Sequence, residues 1–208
     1  MVPEQFIRKG FINKTVQHNK CKKVRKRVKG YLKSLENQVN KNHMKSVLDK
    51  TKEIVSTGMW LGYSPIASGT VGTIPAIIIY IFIRCFINPE LQRIVILIFL
   101  TAACVGCVVL GEWAEKRYGK KDPGTFVLDE IAGFWFTVLF FNTPNAVLTI
   151  VWAFFATRFF DILKPFPANE AQNAHGGWGI LIDDLIASVY AVLFLKVASW
   201  GLPWAFGY

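Results

Sequence analysis

The chain has 208 residues, of which 52% are hydrophobic, and a formal net charge of +10. This length fits one domain with a sizeable core and excludes a second large domain. Residues 1–53 contain 15 of the 24 Lys and Arg residues but only 4 of the 14 Asp and Glu residues, so the rest of the chain is close to neutral. The sequence therefore divides into a basic N-terminal extension, residues 1–53, and an apolar domain, residues 54–208.

Apolar side chains recur at helical spacing across residues 22–50 with Lys and Arg between them, which predicts a basic amphipathic helix. Seven of the ten residues 20–29 are Lys or Arg. This composition favours binding to anionic membrane lipids, with a solvated tail as the alternative. A nucleic acid arm is disfavoured, because Tyr31 is the one stacking ring in the helix and no recognition motif follows, so we expect no nucleic acid partner. Without a signal peptide at its start, the N-terminus is expected in the cytoplasm.

Five apolar segments follow, at residues 74–87, 94–111, 131–141, 146–157 and 185–202. The first, third and fourth are shorter than the roughly 20 residues that span hydrocarbon, so we expect them to be tilted, partly buried or folded back as hairpins. The pattern predicts an all-α fold: a compact, membrane-embedded multi-helix bundle that carries the N-terminal helical extension.

Three polar segments, residues 64–73, 122–130 and 158–184, interrupt the apolar sequence. If the N-terminus is cytoplasmic, the alternation of the helices brings all three to the cytoplasmic face, and the positive-inside rule agrees for the loop at residues 112–130. A one-sided polar site above apolar helices favours a lipid substrate with its head group in the cytoplasm.

Two acidic doublets, Asp129-Glu130 and Asp183-Asp184, lie where apolar helices begin. Carboxylates from two helices are the oxygen ligands that Mg²⁺ prefers. The alternative is that each doublet only stabilises a helix start, which contributes about 0.3–1 kcal/mol per acid. With Asp161, five carboxylates are expected at one face, which favours a Mg²⁺ site made by Asp129, Glu130, Asp183 and Asp184.

Arg158, Asp161 and Lys164 are spaced three residues apart before Pro165. The two cations can hold phosphate oxygens while Asp161 orients them or binds metal, although a simple Arg158–Asp161 ion pair is the alternative. Phosphate chemistry accounts for both signs of charge, because a divalent cation between the acids and a phosphate dianion removes their repulsion.

Two glycine-containing turns complete the candidate site. Residues 69–73 precede a helix, where free backbone N–H groups can bind an anion, although such turns also serve only as helix caps. His175, in the turn at residues 175–179, is a candidate general acid or a structural histidine. The candidate catalytic residues are Asp129, Glu130, Arg158, Asp161, Lys164, His175, Asp183 and Asp184, and the candidate substrate-binding residues are Ser64, Thr70, Gly72, Thr73, Arg158 and Lys164.

Four segments resemble, in order, the signature blocks of the phosphatidylglycerophosphatase A family: GYSPIASGTVGT at residues 62–73, DPGTFVLDEIAG at 122–133, RFFDILKPFP at 158–167 and HGGWGILIDD at 175–184. The resemblance implies an all-helical bacterial inner-membrane enzyme that uses Mg²⁺ to hydrolyse phosphatidylglycerophosphate to phosphatidylglycerol and phosphate. Ser68 replaces a usual proline and Ala187-Ser188 a common Ala-Gly, but neither change removes an ionisable group. The basic extension lies outside the resemblance.

These observations predict a Mg²⁺-dependent lipid phosphatase of the bacterial inner membrane with its active site facing the cytoplasm. The nucleophile, a water molecule or an aspartate, stays open. One alternative is a phosphatase for another membrane phosphomonoester such as phosphatidic acid. A divalent-cation transporter is disfavoured because the carboxylates crowd one side. The remaining alternative is an inactive module that binds membranes through the basic extension.

Overall fold

The structure is a computed structural model that describes the backbone of residues 4–171 and 176–208, and the side chains of residues 29, 31–171 and 176–208. His175 lies outside the described residues. These residues form helices and turns and contain no strand, which confirms the predicted all-α fold. The chain divides into two compact units, Met1–Lys50 and Thr51–Tyr208.

The first unit contains most of the long helix α1, which runs over Glu4–Ser56. Its described apolar side chains include Tyr31, Leu32, Leu35 and Val39, and all four are exposed. Apolar side chains of the expected amphipathic pattern therefore lie on the exposed surface of this helix.

The second unit contains the last turn of α1 and seven further α-helices, two of them a single turn or little more. These are α2 (Ser68–Gly72), α3 (Ile74–Phe86), α4 (Pro89–Tyr118), α5 (Leu128–Phe140), α6 (Ala146–Leu163), α7 (Ala168–Ala171) and α8 (Gly177–Gly201). Tyr80 and Phe134 pack edge to face at the centre of this unit, and Trp135 stacks on Phe99 of α4. These rings bury large apolar surfaces and hold α5 in contact with both α3 and α4.

Small residues let α8 approach its neighbours closely. A Cβ atom on Gly177 would collide with the Cys107 carbonyl oxygen of α4, and one on Gly133 of α5 would lie 2.8 Å from Ser188 Oγ. Close backbone approach through small residues is how helices pack in a membrane, where hydrophobic driving force between them is weak. The N-terminal half of α8, with its acidic doublet, is therefore held between α4 and α5.

Within the described residues, three helical stretches are long and apolar enough to cross a membrane: Ser68–Phe86, Pro89–Tyr118 and Ala146–Leu163. The expectation that the first and fourth apolar segments are tilted, partly buried or folded back stays a prediction, but both lie in helical stretches longer than the apolar segments themselves, of 19 and 18 residues. Helix α2 extends the first segment toward its N-terminus, and α6 continues past Thr157 through Arg158 and Asp161, because these charged residues remain helical. Helix α5 has 13 residues, as short as its segment predicted.

Candidate active site

Arg158 joins three elements at one end of the helical unit. Its Nη1 atom lies 3.1 Å from Asp161 Oδ2 and 3.5 Å from Glu130 Oε1 at the start of α5. Its Nη2 atom donates to Thr73 Oγ1, which immediately precedes α3, at 3.4 Å. These contacts confirm the prediction that polar segments distant in sequence converge. One guanidinium group, whose side chain is 15% exposed, links them.

The turn before α3 lies against this ion pair. A Cβ atom on Gly69 would collide with Glu130 Oε1 and lie 2.9 Å from Arg158 Nη1, so a larger residue here would have to displace one of the two charged side chains. Thr73 Oγ1 donates to the Gly69 carbonyl oxygen at 2.7 Å, which fixes the hydroxyl beside Arg158. Gly69 was not a predicted site residue, because its position beside the ion pair depends on tertiary contacts.

The other predicted substrate-binding residues of this region do not contact the charged groups directly. Ser64 Oγ donates to the Ile66 carbonyl oxygen, and a Cβ atom on Gly72 would meet Val127 at 2.5 Å. In the described part of the chain, Ser64, Thr70 and Gly72 make no hydrogen bond to Arg158 or to the carboxylates. Their contribution to substrate binding stays a prediction.

A second ion pair connects the end of α6 to α8. Lys164 caps α6 with a left-handed backbone, φ 44°, which is uncommon for a residue other than glycine. Its Nζ atom lies 2.9 Å from Asp183 Oδ2, and Asp183 is 4% exposed. The left-handed turn therefore ends the helix while the lysine side chain holds a buried carboxylate of α8.

Asp129 and Asp184 are both 6% exposed, and neither forms an ion pair among the described residues. Burial raises the pKa of both carboxyl groups well above the usual aspartate range, and the charge of a neighbouring carboxylate raises each pKa further. Burial also raises the pKa of Glu130 to about 7. All three groups lie outside the three helical stretches that are apolar enough to cross a membrane. The site therefore gathers more carboxyl groups than Arg158 and Lys164 can pair with, and burial disfavours the ionised forms of the unpaired ones.

Two buried carboxylate oxygen atoms bear on whether these residues suit a metal ion. Among the described residues, no three His, Cys, Asp or Glu side chains already form a complete metal-binding group. Asp129 Oδ1 and Glu130 Oε2, however, are buried and have no hydrogen-bond partner in the described part of the chain. Unpartnered buried carboxylate oxygens are costly, and they are the donors that Mg²⁺ prefers. Asp129 and Glu130 therefore offer two oxygen donors of the type that a divalent cation takes, short of a complete ligand set among the described residues.

Asp122 is a residue of this region that the sequence analysis did not single out. Its charge acts on Asp129, on Asp183 and on Lys164, so it lies near both acidic doublets. Its backbone has φ 47°, a left-handed conformation that favours glycine, asparagine or aspartate. The sequence feature that could have identified Asp122 was its position at the start of the family-like segment at residues 122–133.

The glycines of the turn before α8 pack against α4. Gly177 lies directly against the backbone of Cys107 and Val108 in α4, where no side chain would fit. Gly176 precedes it with φ 61°. These glycines therefore allow α8 to pack on α4, which positions Asp183 and Asp184 further along the same helix.

A unit of apolar helices that gathers buried carboxylates, an arginine and a lysine at one end defines a class: helical, membrane-type proteins with a polar reaction site. The model of the family described as Phosphatidylglycerophosphatase A matches residues 54–199. The chain belongs to the phosphatidylglycerophosphatase A family, which confirms the resemblance seen in the four sequence blocks.

Three curated relatives are similar to the chain, and two of them carry the family's name. A Bacteroides thetaiotaomicron protein, named provisionally as a phosphatidylinositol-3-phosphatase, is 35% identical over 71% of this chain and 92% of its own length. Phosphatidylglycerophosphatase A of Escherichia coli is 32% identical over 72% of this chain and 85% of its own length. The enzyme of the same name from Haemophilus influenzae is 33% identical over 67% and 83%. No solved structure matches the chain significantly.

Proposed function

We propose that the protein is a Mg²⁺-dependent lipid phosphatase that hydrolyses phosphatidylglycerophosphate to phosphatidylglycerol and phosphate. The observation that carries the proposal is the meeting of Arg158 and Lys164 with buried carboxylates at one end of apolar helices. Two curated relatives named Phosphatidylglycerophosphatase A support the substrate.

In this proposal, Arg158 and Lys164 bind the phosphate group. The Arg158 guanidinium presents several N–H donors in one plane, a geometry that matches phosphate oxygens, and Asp161 at 3.1 Å and Thr73 at 3.4 Å fix its orientation. Lys164 adds a second positive charge, held in place by Asp183 at 2.9 Å. Both cations favour the additional negative charge that develops on the phosphate oxygens during transfer.

Asp129, Glu130, Asp183 and Asp184 would hold Mg²⁺ in this site. When bound, a divalent cation polarises the phosphoryl group and stabilises the attacking and leaving oxygens. Hydrolysis breaks the bond between phosphorus and the glycerol oxygen, and a proton must reach that leaving oxygen. His175, which lies outside the described residues, stays the candidate donor of this proton.

The proposal includes a location. Three described helical stretches are long and apolar enough to cross a membrane, and we place the charged cluster at the cytoplasmic face of the bacterial inner membrane. The basic extension would then bind the anionic lipids of the same face, where each Lys or Arg near the surface contributes about 1 kcal/mol to binding.

The test is phosphate release by the purified full-length protein from phosphatidylglycerophosphate in mixed micelles, first with Mg²⁺ and then with excess chelator. We expect turnover that stops with chelator and returns when Mg²⁺ is added back. Turnover that is unchanged by chelator would refute the metal dependence, and no release at any Mg²⁺ concentration would refute the reaction.

The provisional name of the Bacteroides relative makes a different phospholipid monoester the second candidate substrate. Parallel assays on phosphatidylinositol-3-phosphate and phosphatidic acid distinguish the candidates. We expect phosphatidylglycerophosphate to give the highest kcat/KM. A higher value for either other lipid would replace the proposed substrate while keeping the phosphatase chemistry.

A further inference from the structure

The end of the helical unit opposite the charged cluster contains a separate polar cavity of about 290 Å³. It lies between the last turns of α3, the first turns of α4 and the end of α5. Its polar lining residues are Tyr80, Arg84, Gln92, Arg93 and Asn142. Apolar side chains form the rest of its wall. None of these residues belongs to the proposed phosphatase site.

Among the described residues, neither arginine of this cavity has an acidic partner. Arg84 donates to Asn142 Oδ1 and, at 3.2 Å each, to the carbonyl oxygens of Thr143 and Pro144, all of them neutral acceptors. Arg93 makes no ion pair with any described residue. Two guanidinium groups without a carboxylate favour an anion and disfavour a cation.

Asn142 adds a neutral donor to the cavity. Its Oδ1 atom accepts from Arg84 and from the Tyr80 hydroxyl at 3.3 Å. These two donors fix the orientation of the amide, so its NH₂ group remains available as a donor. An arginine pair and an amide donor around a small cavity match the oxygen atoms of a phosphate group.

Aromatic residues place this cavity at the depth of lipid head groups. The Tyr208 hydroxyl donates to the Asn142 carbonyl oxygen at 3.0 Å, so Tyr208 lies beside the cavity. Trp200 is 90% exposed and Trp204 76%, at the end of α8 and just after it. Exposed Trp and Tyr side chains concentrate at the interface between hydrocarbon and water.

We propose that this cavity binds the phosphate group of an anionic ligand at the membrane surface opposite the phosphatase cluster. A phospholipid head group and free inorganic phosphate present the same oxygen atoms to the two arginines, and the interfacial aromatic residues favour the lipid. The site is independent of the proposed reaction, since its lining residues lie at the other end of the helices from Arg158 and Lys164.

The test compares retention of phosphatidylserine and phosphatidylcholine by the full-length protein, measured by native mass spectrometry from detergent. Phosphatidylserine is the probe because it is neither substrate nor product of the proposed reaction. We expect Arg93→Gln to weaken phosphatidylserine retention about tenfold, the effect of losing one charge-assisted contact. Lys196→Gln is the matched control, since it removes one exposed positive charge from α8 outside the cavity.

A second variant, Asn142→Asp, keeps an oxygen acceptor for Arg84 and Tyr80 while adding a negative charge to the cavity. We expect it to fold normally and to lose phosphatidylserine retention. A second arm adds inorganic phosphate alone and measures the melting temperature: stabilisation of the wild type that Arg93→Gln abolishes would support the site with free phosphate as its source. Retention and melting temperatures equal to wild type in both cavity variants would overturn the proposal.

Discussion

The two ends of the helical unit carry charge in different ways. At one end, Arg158 and Lys164 each contact a carboxylate within 3.1 Å, and the buried carboxylate of Asp129 lies near them without a cationic partner among the described residues. At the other end, the described hydrogen bonds of Arg84 all go to neutral oxygens. The first arrangement suits a metal ion together with a phosphate group, because acids and bases are both present.

The difference shows why position and partner matter more than residue type. An arginine beside acids loses part of its positive potential, so it binds phosphate strongly only when a metal ion offsets those acids. An arginine among neutral acceptors attracts an anion without any metal. Phosphate binding should therefore depend on the acids and on a metal ion at the end with Arg158, and on neither at the end with Arg84.

The largest effect is expected from removing a carboxylate charge at the acidic end. Asp129→Asn and Asp183→Asn should each lower phosphate release at least about a hundredfold, the scale of losing a group that organises a metal or transition state. Asp129→Asn should also leave the melting temperature unchanged or higher, because it removes a buried carboxyl group whose ionised form is disfavoured by burial and by the neighbouring carboxylates.

The matched control is Glu90→Gln, which removes a carboxylate from the first turn of α4 at the opposite end. Its rate should equal that of the wild type. Near-normal rates in both aspartate variants would remove Asp129 and Asp183 from the proposed metal site. Activity and thermal melts measured on the same preparations separate this outcome from misfolding.

A somewhat smaller effect is expected from Gly69→Ala. The added Cβ atom must displace Glu130 or Arg158, so phosphate release should fall roughly tenfold to a hundredfold through misplacement of the phosphate-binding cation. Gly124→Ala is the control, since its Cβ atom would meet only Ser68 Oγ, at 3.7 Å. Equal rates in the two variants would show that the close approach at Gly69 has no part in the reaction.

The sequence predicted the helical fold and the convergence of polar segments because both follow from local patterns. Apolar helices alternate with polar segments, so every second polar segment lies at the same end of the helical unit. It also singled out Arg158 and Glu130, which meet in the structure, since charged residues beside apolar helices are few. The catalytic and metal-binding roles of the candidate residues stay predictions. Arg158, Glu130 and Thr73 meet as this reasoning requires.

The sequence could not predict features that depend on which surfaces touch. Gly69 resembles any turn glycine until Glu130 and Arg158 are seen beside it. The Lys164–Asp183 pair depends on a left-handed turn at Lys164, which no local signal for lysine indicates. The apolar pattern underestimates the length of α6, because the charged residues after Thr157 end the apolar segment but continue the helix.

A further test changes the shape of the Arg158 cation without changing its charge. Arg158→Lys keeps the positive charge but cannot contact Asp161, Glu130 and Thr73 together, so we expect about a tenfold loss of kcat/KM. Arg117→Lys is the control, since Arg117 is an exposed arginine whose ion pair with Glu53 is 4.0 Å long. A wild-type kcat/KM for Arg158→Lys would mean that the reaction does not depend on the planar guanidinium group.

The smallest effect on chemistry is expected from the basic extension, none of whose described residues belongs to the charged cluster. Deleting residues 1–50 removes the first unit and leaves Thr51–Tyr208 as the second. Because the charged cluster lies wholly in the second unit, kcat on detergent-solubilised substrate should stay within about twofold of the wild type, the effect of small surface changes.

Binding to anionic vesicles should weaken, since most of the positive charge is lost. Co-sedimentation with phosphatidylglycerol vesicles measures this loss, and phosphatidylcholine vesicles give the uncharged reference. Equal sedimentation of the two chains would exclude a lipid-binding role for the extension.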